Sequence, residues 1–330
     1  MVILMSNAFK KPIVIAHRGA SGYLPEHTLV SKAVAHAMGA DFLEQDVVLT
    51  KDAVPIVLHD IYLESTTNVA DIFPNRQQSD GHFYALDFDL DEIRRLSINE
   101  RLIIDGNSPY TPVFENRFPY IESLFKIPTL REEVSMISGL NKSRGKTAGI
   151  YVELKSPKIH WEAGYDIADI VMAELMRSEY KPFGSPIYIQ CFDDATLKYI
   201  KFDLKIEYSL IQLIGENIWE EDTCANYDEL KSRAGLQGIS DYADGIGPWI
   251  EQIFLGLNTS GEPIASDLVS NAKEFNLLVH PYTFRKDELP QGIETFEQLL
   301  RFFLINQKVD GIFTDFPDLA INFIEKSQYD

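Results

Sequence analysis

The sequence predicts an α/β fold, a TIM (β/α)8 barrel carrying a small inserted subdomain after its second strand. Eight short β-rich runs recur along the chain, separated by segments of helical period, and such alternation demands parallel strands joined by helical crossovers. One connection, from Asp60 to Pro128, breaks this rhythm and is too long for an ordinary βα loop. A barrel core of about 250 residues plus an insertion of that size accounts for the whole length of 330. Residues 1–330 therefore read as one domain, with residues 60–128 inserted within it. An open doubly wound sheet shares the alternation, but its glycine-rich dinucleotide fingerprint is absent.

In order, the β-rich runs are Ile13–His17, Phe42–Thr50, Ile150–Lys155, Pro186–Phe192, Tyr208–Ile214, Asp244–Gly247, Leu277–Tyr282 and Gly311–Thr314. After the first, Leu29, Ala33, Val34, Ala37 and Met38 recur at helical spacing, and Gly39 is placed to close that helix. After the fourth, Asp193 to Phe202 opens with acids, which suit the positive end of a helix. The long connection is polar and aromatic, with turn signals at Asn75-Arg76, Ser79-Asp80-Gly81 and Asn107-Ser108-Pro109. Following strand 2, it is expected at the C-terminal face of the barrel, where active sites lie, and to wall or lid the site.

Composition narrows the partners. A chain that is 45% hydrophobic and 12% aromatic can bury a large core. Its 30 Lys plus Arg against 50 Asp plus Glu give −20, a field that repels nucleic acid and anionic lipid surfaces. Neither a nucleic acid partner nor stable membrane insertion is expected, and no apolar run reaches the roughly 18 residues of a membrane span. Two cysteines, Cys191 and Cys224, cannot build a disulfide scaffold or a cysteine-based zinc site, and both are expected free and buried. The stretch Met1 to Lys11 lacks the basic leader and apolar run of a secretory signal, which points to the cytoplasm if the chain is the native full length. The composition leaves the oligomeric state open.

The chemistry-bearing residues gather at strand ends. Glu44 and Asp46 are two apart on strand 2 and so point to one side of it. On strand 3, Glu153 and Lys155 share one face while Val152 and Leu154 take the other. Converging carboxylates repel unless a cation joins them, and three oxygen donors without neighbouring Cys or His suit Ca²⁺ or Mg²⁺ better than zinc. The plain alternative is an internal ion pair with Lys155. Strand 1 runs into His17-Arg18-Gly19, where a guanidinium can bind phosphate oxygens bidentately and an imidazole can move a proton near neutral pH. His59 follows the strand 2 hairpin and reaches the same end. His36, His82, His160 and His280 read as structural. Among the aromatics near strand ends, Phe192, Trp249, Tyr282, Phe313 and Phe316, the residues expected to line a substrate slot are Trp249 and Tyr282.

These motifs occur in one order: His17-Arg18-Gly19, Pro25-Glu26, Glu44-x-Asp46, His59-Asp60, Glu153-x-Lys155. They continue through Gln190-Cys191-Phe192-Asp193, Ala243 to Pro248, Val279-His280-Pro281-Tyr282-Thr283 and Gly311 to Pro317. Over essentially the whole chain this resembles the glycerophosphodiester phosphodiesterase family. The long insertion and the Val279 to Thr283 run are most similar to its bacterial periplasmic, calcium-dependent branch. The resemblance implies a TIM barrel, hydrolysis of glycerophosphodiesters to sn-glycerol 3-phosphate and an alcohol, a Ca²⁺ cofactor with Mg²⁺ as the alternative, and a periplasmic location. It implies a small-molecule substrate within glycerol and lipid metabolism. Carried over by position, Glu44, Asp46 and Glu153 hold the metal, His17 and His59 are acid and base, and Arg18 and Lys155 grip the phosphate. The nucleophile is water or the substrate's own 2-hydroxyl. The family often has Asn where this chain has His27, a position read as structural. Rival readings are a lysophospholipase D or sphingomyelinase D type activity on the same barrel, disfavoured by the polar insertion and the charge, and a binding protein whose catalysis is incidental.

Overall fold

Eight parallel strands make up the barrel wall. They are β1 (Ile13–Ala16), β2 (Phe42–Leu49), β3 (Gly149–Leu154), β4 (Ile187–Cys191), β5 (Ser209–Ile214), β6 (Gly245–Pro248), β7 (Leu278–Val279) and β8 (Gly311–Thr314). Hydrogen-bonded neighbours run β7-β6-β5-β4-β3-β2-β1-β8 in this computed structural model, which describes residues 11–104, 111–119, 124–177, 186–219 and 221–327. The segment read for an export leader, up to residue 10, and the Asn107-Ser108-Pro109 turn lie outside the described residues.

The two ends of that order meet. The Asp310 amide donates to the Val279 carbonyl (3.0 Å), that of Phe313 to Pro281 (3.1 Å) and that of Phe284 to Phe313 (2.8 Å), closing the sheet on itself. The β7 ladder to β6 continues beyond its two regular residues through the His280 amide on Ile246 and the Tyr282 amide on Pro248.

Alternation along each strand sorts side chains between two layers. Leu43, Val47, Val152 and Leu154 face outward into the main core beneath the helices, while Ile15, Phe42, Tyr151, Ile211 and Phe313 fill the lower lumen. Register places Glu44 beside Tyr151, and Asp46 beside Glu153, which in turn pairs with Gln190. The aromatic floor thus ends where the carboxylates begin, one layer higher.

The helix Leu29–Met38 begins and ends as its sequence indicates. Thr28 caps it by accepting from the Ser31 amide, and Gly39 closes it at φ 98, a left-handed turn that glycine adopts without penalty. Its face is another matter: the buried side chains are Ser31, Lys32, Ala35 and His36, not the apolar stripe. The stripe is displaced because the polar groups have partners inside, Lys32 on Glu133 and His36 on Asn141 (2.9 Å). Asp193 caps the helix Asp194–Lys198 by accepting from the Thr196 amide.

Residues 60–128 have a small core of their own. Leu63, Val69, Phe83, Phe88, Ile93, Leu96 and Ile98 pack together, joined to the barrel through Val48 of β2 and Ile56 of the antiparallel strand Pro55–Val57. Cys191 is buried as expected, but Cys224 is exposed, because it lies in an irregular polar loop rather than on a strand. Among the described residues, no helix is long and apolar enough to cross a membrane.

Candidate active site

The C-terminal mouth of the barrel holds a cavity of about 350 Å³. Its wall brings together His17, Arg18, Glu44, His59, Glu153 and Lys155, and Trp249 and Tyr282 line it as well. Asp46 lies just beneath, 3.5 Å from Arg18 Nε through its Oδ2. Phe192 and Phe313 also reach the cavity, whereas Phe316 turns away and packs edge-on to Tyr23.

The loop after β1 is shaped to put a backbone donor in the site. Arg18 adopts φ 56, a conformation that costs a non-glycine residue of order 1 kcal/mol, and its amide thereby donates to Glu44 Oε2 at 2.6 Å. Gly19 follows at φ 94, where a Cβ would meet Ser31 Oγ at 2.5 Å. A side chain there would push the loop off the helix and move Arg18 with it.

Each imidazole is backed by a carboxylate. His17 Nδ1 lies 2.6 Å from Asp315 Oδ1, and His59 Nδ1 is hydrogen-bonded to Asp60 Oδ1. This leaves each Nε2 for the cavity, and that of His59 is 3.3 Å from Lys155 Nζ. Burial first, and then the Arg18 guanidinium, pushes His17 down to about 4. Burial, Arg18 and Lys155 in turn push His59 down to about 3, so both rings are neutral near pH 7 without substrate.

The acids are in tension. Glu44 is held well above the usual carboxylate range by burial and by Asp46, and burial raises Glu153 to about 8 although Lys155 donates to it at 2.7 Å. Burial would raise Asp46 too, but the adjoining His27 keeps it well below its ordinary value. Asp46 Oδ1 is buried and has no hydrogen-bond partner among the described residues. An orphaned carboxylate oxygen among acids that resist ionising together fits a bound cation, and an all-oxygen donor set fits Ca²⁺ or Mg²⁺.

Among the described residues, His27, Glu44 and Asp46 each bring a donor atom within 4.8 Å of the others, a grouping that differs from the expected trio with Glu153. His27 was read as structural from sequence. Its Nε2 is 2.7 Å from Asp46 Oδ2 and its Nδ1 is 3.4 Å from Lys32 Nζ. A neutral ring that donates from Nε2 and accepts at Nδ1 has no lone pair left for a metal, so His27 orients Asp46 from behind. Lys32 and Glu133, both fully buried and paired at 2.6 Å, extend this chain.

Sequence reasoning gave no role to several residues at this mouth. Gln190 donates to Glu44 Oε1 at 3.3 Å, Arg285 lines the cavity and donates to Asp315 Oδ2 at 2.9 Å, and Trp219 stands edge-on to Trp249 with ring centres 5.2 Å apart. None of the described cavity-lining residues comes from 60–128; beyond the strands the described wall is built by the loops after β5, β6 and β7, and residues 105–110 and 120–123 of the segment expected to wall or lid the site lie outside the described residues.

Glu100 is a further buried acid, with Oε2 unpartnered among the described residues; burial and the nearby Glu26 raise it to about 7. Between its ordinary value and about 7 the folded protein holds a proton that the unfolded chain releases, so stability falls as the pH rises through that window. Glu100→Gln is expected to gain about 1–3 kcal/mol of stability above pH 7, an advantage that fades toward pH 4.5. Thermal melts at pH 8 and pH 4.5 check it; a variant less stable than the parent at pH 8 contradicts it.

A barrel mouth that sets carboxylates, two imidazoles and two cations around one cavity defines a hydrolase acting on an anionic ester. The glycerophosphoryl diester phosphodiesterase family model matches residues 17–319. A Haemophilus influenzae glycerophosphodiester phosphodiesterase is 39% identical over 95% of this chain and 90% of its own length, and one from Treponema pallidum is 36% identical over 98% and 94%. The chain belongs to the glycerophosphoryl diester phosphodiesterase family and is an enzyme, a phosphoric diester hydrolase. Among solved structures, an Oleispira antarctica phosphodiesterase in complex with the product sn-glycerol-3-phosphate has the same fold, with a TM-score of 0.64 at 22% identity, covering 95% of this chain and 97% of that one.

Proposed function

We propose that the protein hydrolyses glycerophosphodiesters to sn-glycerol 3-phosphate and an alcohol, with a divalent cation, Ca²⁺ or Mg²⁺, as cofactor and His17 and His59 as proton carriers. The observation that carries this reading is the pair of carboxylate-backed imidazoles facing one cavity with Arg18 and Lys155 beside them. Glu44, Asp46 and Glu153 would hold the cation. When bound, it supplies positive charge for the nonbridging phosphate oxygens as the reaction loads them.

The chain's own residues divide the remaining work. A phosphodiester carries one negative charge, and attack on phosphorus places more on the nonbridging oxygens and the leaving oxygen. Arg18 and Lys155 meet that charge in a site largely removed from water, where each is worth more than at the surface. One imidazole takes the proton of the attacking oxygen, the P–O bond to the alcohol breaks, and the other imidazole returns a proton to the departing oxygen, so that one water is consumed overall. The substrate anion offsets the field of Arg18 and Lys155 that keeps the imidazoles neutral, which favours the protonated ring in the complex. The slot between Trp249, Tyr282 and Phe192 has room for the glycerol or headgroup carbons.

A coupled assay for glycerol 3-phosphate, with glycerophosphocholine as substrate, tests the reading. Activity is expected to vanish in EDTA and to return with Ca²⁺ or Mg²⁺; full turnover in EDTA would remove the metal from the proposal, and no glycerol 3-phosphate under any metal would remove the substrate.

A further inference from the structure

Both imidazole–carboxylate pairs are wired alike, and the wire leads out of the barrel. In each pair one carboxylate oxygen serves the imidazole and the other accepts from a guanidinium contributed by residues 60–128. Asp60 Oδ2 accepts from Arg101 Nη1 at 2.7 Å, and Asp315 Oδ2 accepts from Arg117 Nη2 at 2.7 Å. We infer that residues 60–128 act as a buttress for catalysis, with Arg101 and Arg117 as positioning residues that fix His59 and His17 through the carboxylates behind them. The inference rests on the proposed proton-carrying roles of these two histidines.

The geometry goes beyond a surface salt bridge. Arg101 also clasps Glu26 with two bonds, Nε to Oε2 at 3.0 Å and Nη2 to Oε1 at 2.7 Å, and Glu26 receives Arg18 Nη1 at 3.1 Å on each oxygen. One planar fork therefore spans two carboxylates on two loops, after β1 and after the β2 hairpin, and sets both the phosphate-gripping arginine and an imidazole. Arg117 makes a bidentate pair with Asp287, at 2.9 and 3.0 Å, from the loop after β7, and its side chain is 4% exposed. Guanidinium groups are removed from water at a cost of several kcal/mol unless fully paired, so their burial here needs these acids.

The backbone that presents Arg101 is itself fixed. The Leu102 amide donates to Ser65 at 2.8 Å and the Arg101 carbonyl accepts from the Val113 amide at 2.9 Å. Neither arginine lines the cavity, so neither touches substrate. A carboxylate held only by an imidazole can rotate and take the ring with it, whereas one pinned from both sides cannot. Groups behind a working ligand in this manner are commonly worth about 10–100-fold in activity.

Lysine keeps the charge but cannot span two carboxylates, which separates orientation from stability. With glycerophosphocholine, and with rates referred to the fraction of protein that binds Ca²⁺ by titration, Arg101→Lys is expected to lower kcat by at least 10-fold and to raise KM, because Arg18 is disturbed as well. Arg117→Lys is expected to lower kcat less, since Arg285 still holds Asp315, and to leave KM unchanged. Ca²⁺ affinity should match the parent in both. Wild-type kcat and KM in Arg101→Lys would overturn the inference, as would full recovery once rates are referred to the Ca²⁺-binding fraction, since the arginine would then serve folding alone. If Arg101→Met does not fold, the lysine variant carries the test. An inactive parent enzyme would instead count against the proposed function.

Discussion

Replacing Glu44 by Gln is expected to reduce kcat/KM by more than about 10³-fold, on the scale of the several kcal/mol that metal-centred charge stabilisation supplies. The same substitution should act on stability in two directions. Without metal, Glu44 is a buried acid that burial and Asp46 already push toward its protonated form. An uncharged amide removes that repulsion, so the metal-free variant should melt at or above the temperature of the metal-free parent. With Ca²⁺ in excess the order should reverse, because the parent gains stability by linkage in proportion to the logarithm of metal over Kd, and the variant does not. Melting both proteins in EDTA and in Ca²⁺ checks the crossing. Equal Ca²⁺-induced shifts in the two proteins would show that Glu44 is no ligand, whatever happens to the rate.

Much of this site was legible because the barrel converts sequence spacing into geometry. Two residues on one strand at i and i+2 share a face, so spacing alone points Glu44 with Asp46, and Glu153 with Lys155, into one lumen. Parallel register then set Asp46 beside Glu153. What spacing could not convey is how charges are settled once buried. The helix Leu29–Met38 was read by its apolar stripe, yet it buries Lys32 and His36, since a pattern of hydrophobic residues is blind to a lysine that finds Glu133 some hundred residues away. His27 is silent in the sequence for the same reason: its meaning lies in Asp46, on another element. Arg101 and Arg117 sit in irregular chain, where no periodicity says which way a side chain points, and their partners Glu26, Asp60 and Asp315 are distant in sequence. The insertion is legible by its length but not in its action, because a lid and a buttress leave the same mark on a sequence.

The division of labour between the two histidines is expected to be unequal, with His59 as base and His17 as acid. Lys155 Nζ lies 3.3 Å from His59 Nε2, so the ammonium holds that ring neutral with its lone pair on Nε2, and the lone pair is released to the attacking oxygen when the substrate phosphate draws Lys155 away. Among the described residues no ammonium is hydrogen-bonded to His17; Asp315 both bonds it and favours its charged form, against burial, Arg18 and Arg285. It is the ring that more readily takes up a proton when the substrate anion arrives. Each role should be worth about 10² to 10⁴ in rate. An activated leaving group separates them, since nitrophenolate departs without a proton while glycerol or choline alkoxide does not. His17→Ala should therefore lose its full factor on glycerophosphocholine and recover most of it on a nitrophenyl phosphodiester. His59→Ala should lose a similar factor on both, because the attacking oxygen must shed its proton in either case. Neither variant should change Ca²⁺ affinity, as the hydrogen bonds of the two rings run to Asp315, Asp60 and Lys155 rather than to Glu44, Asp46 or Glu153. Identical responses of the two variants to the nitrophenyl substrate would make one of these histidines a phosphate ligand rather than a proton carrier, and recovery in His59→Ala alone would exchange the two roles.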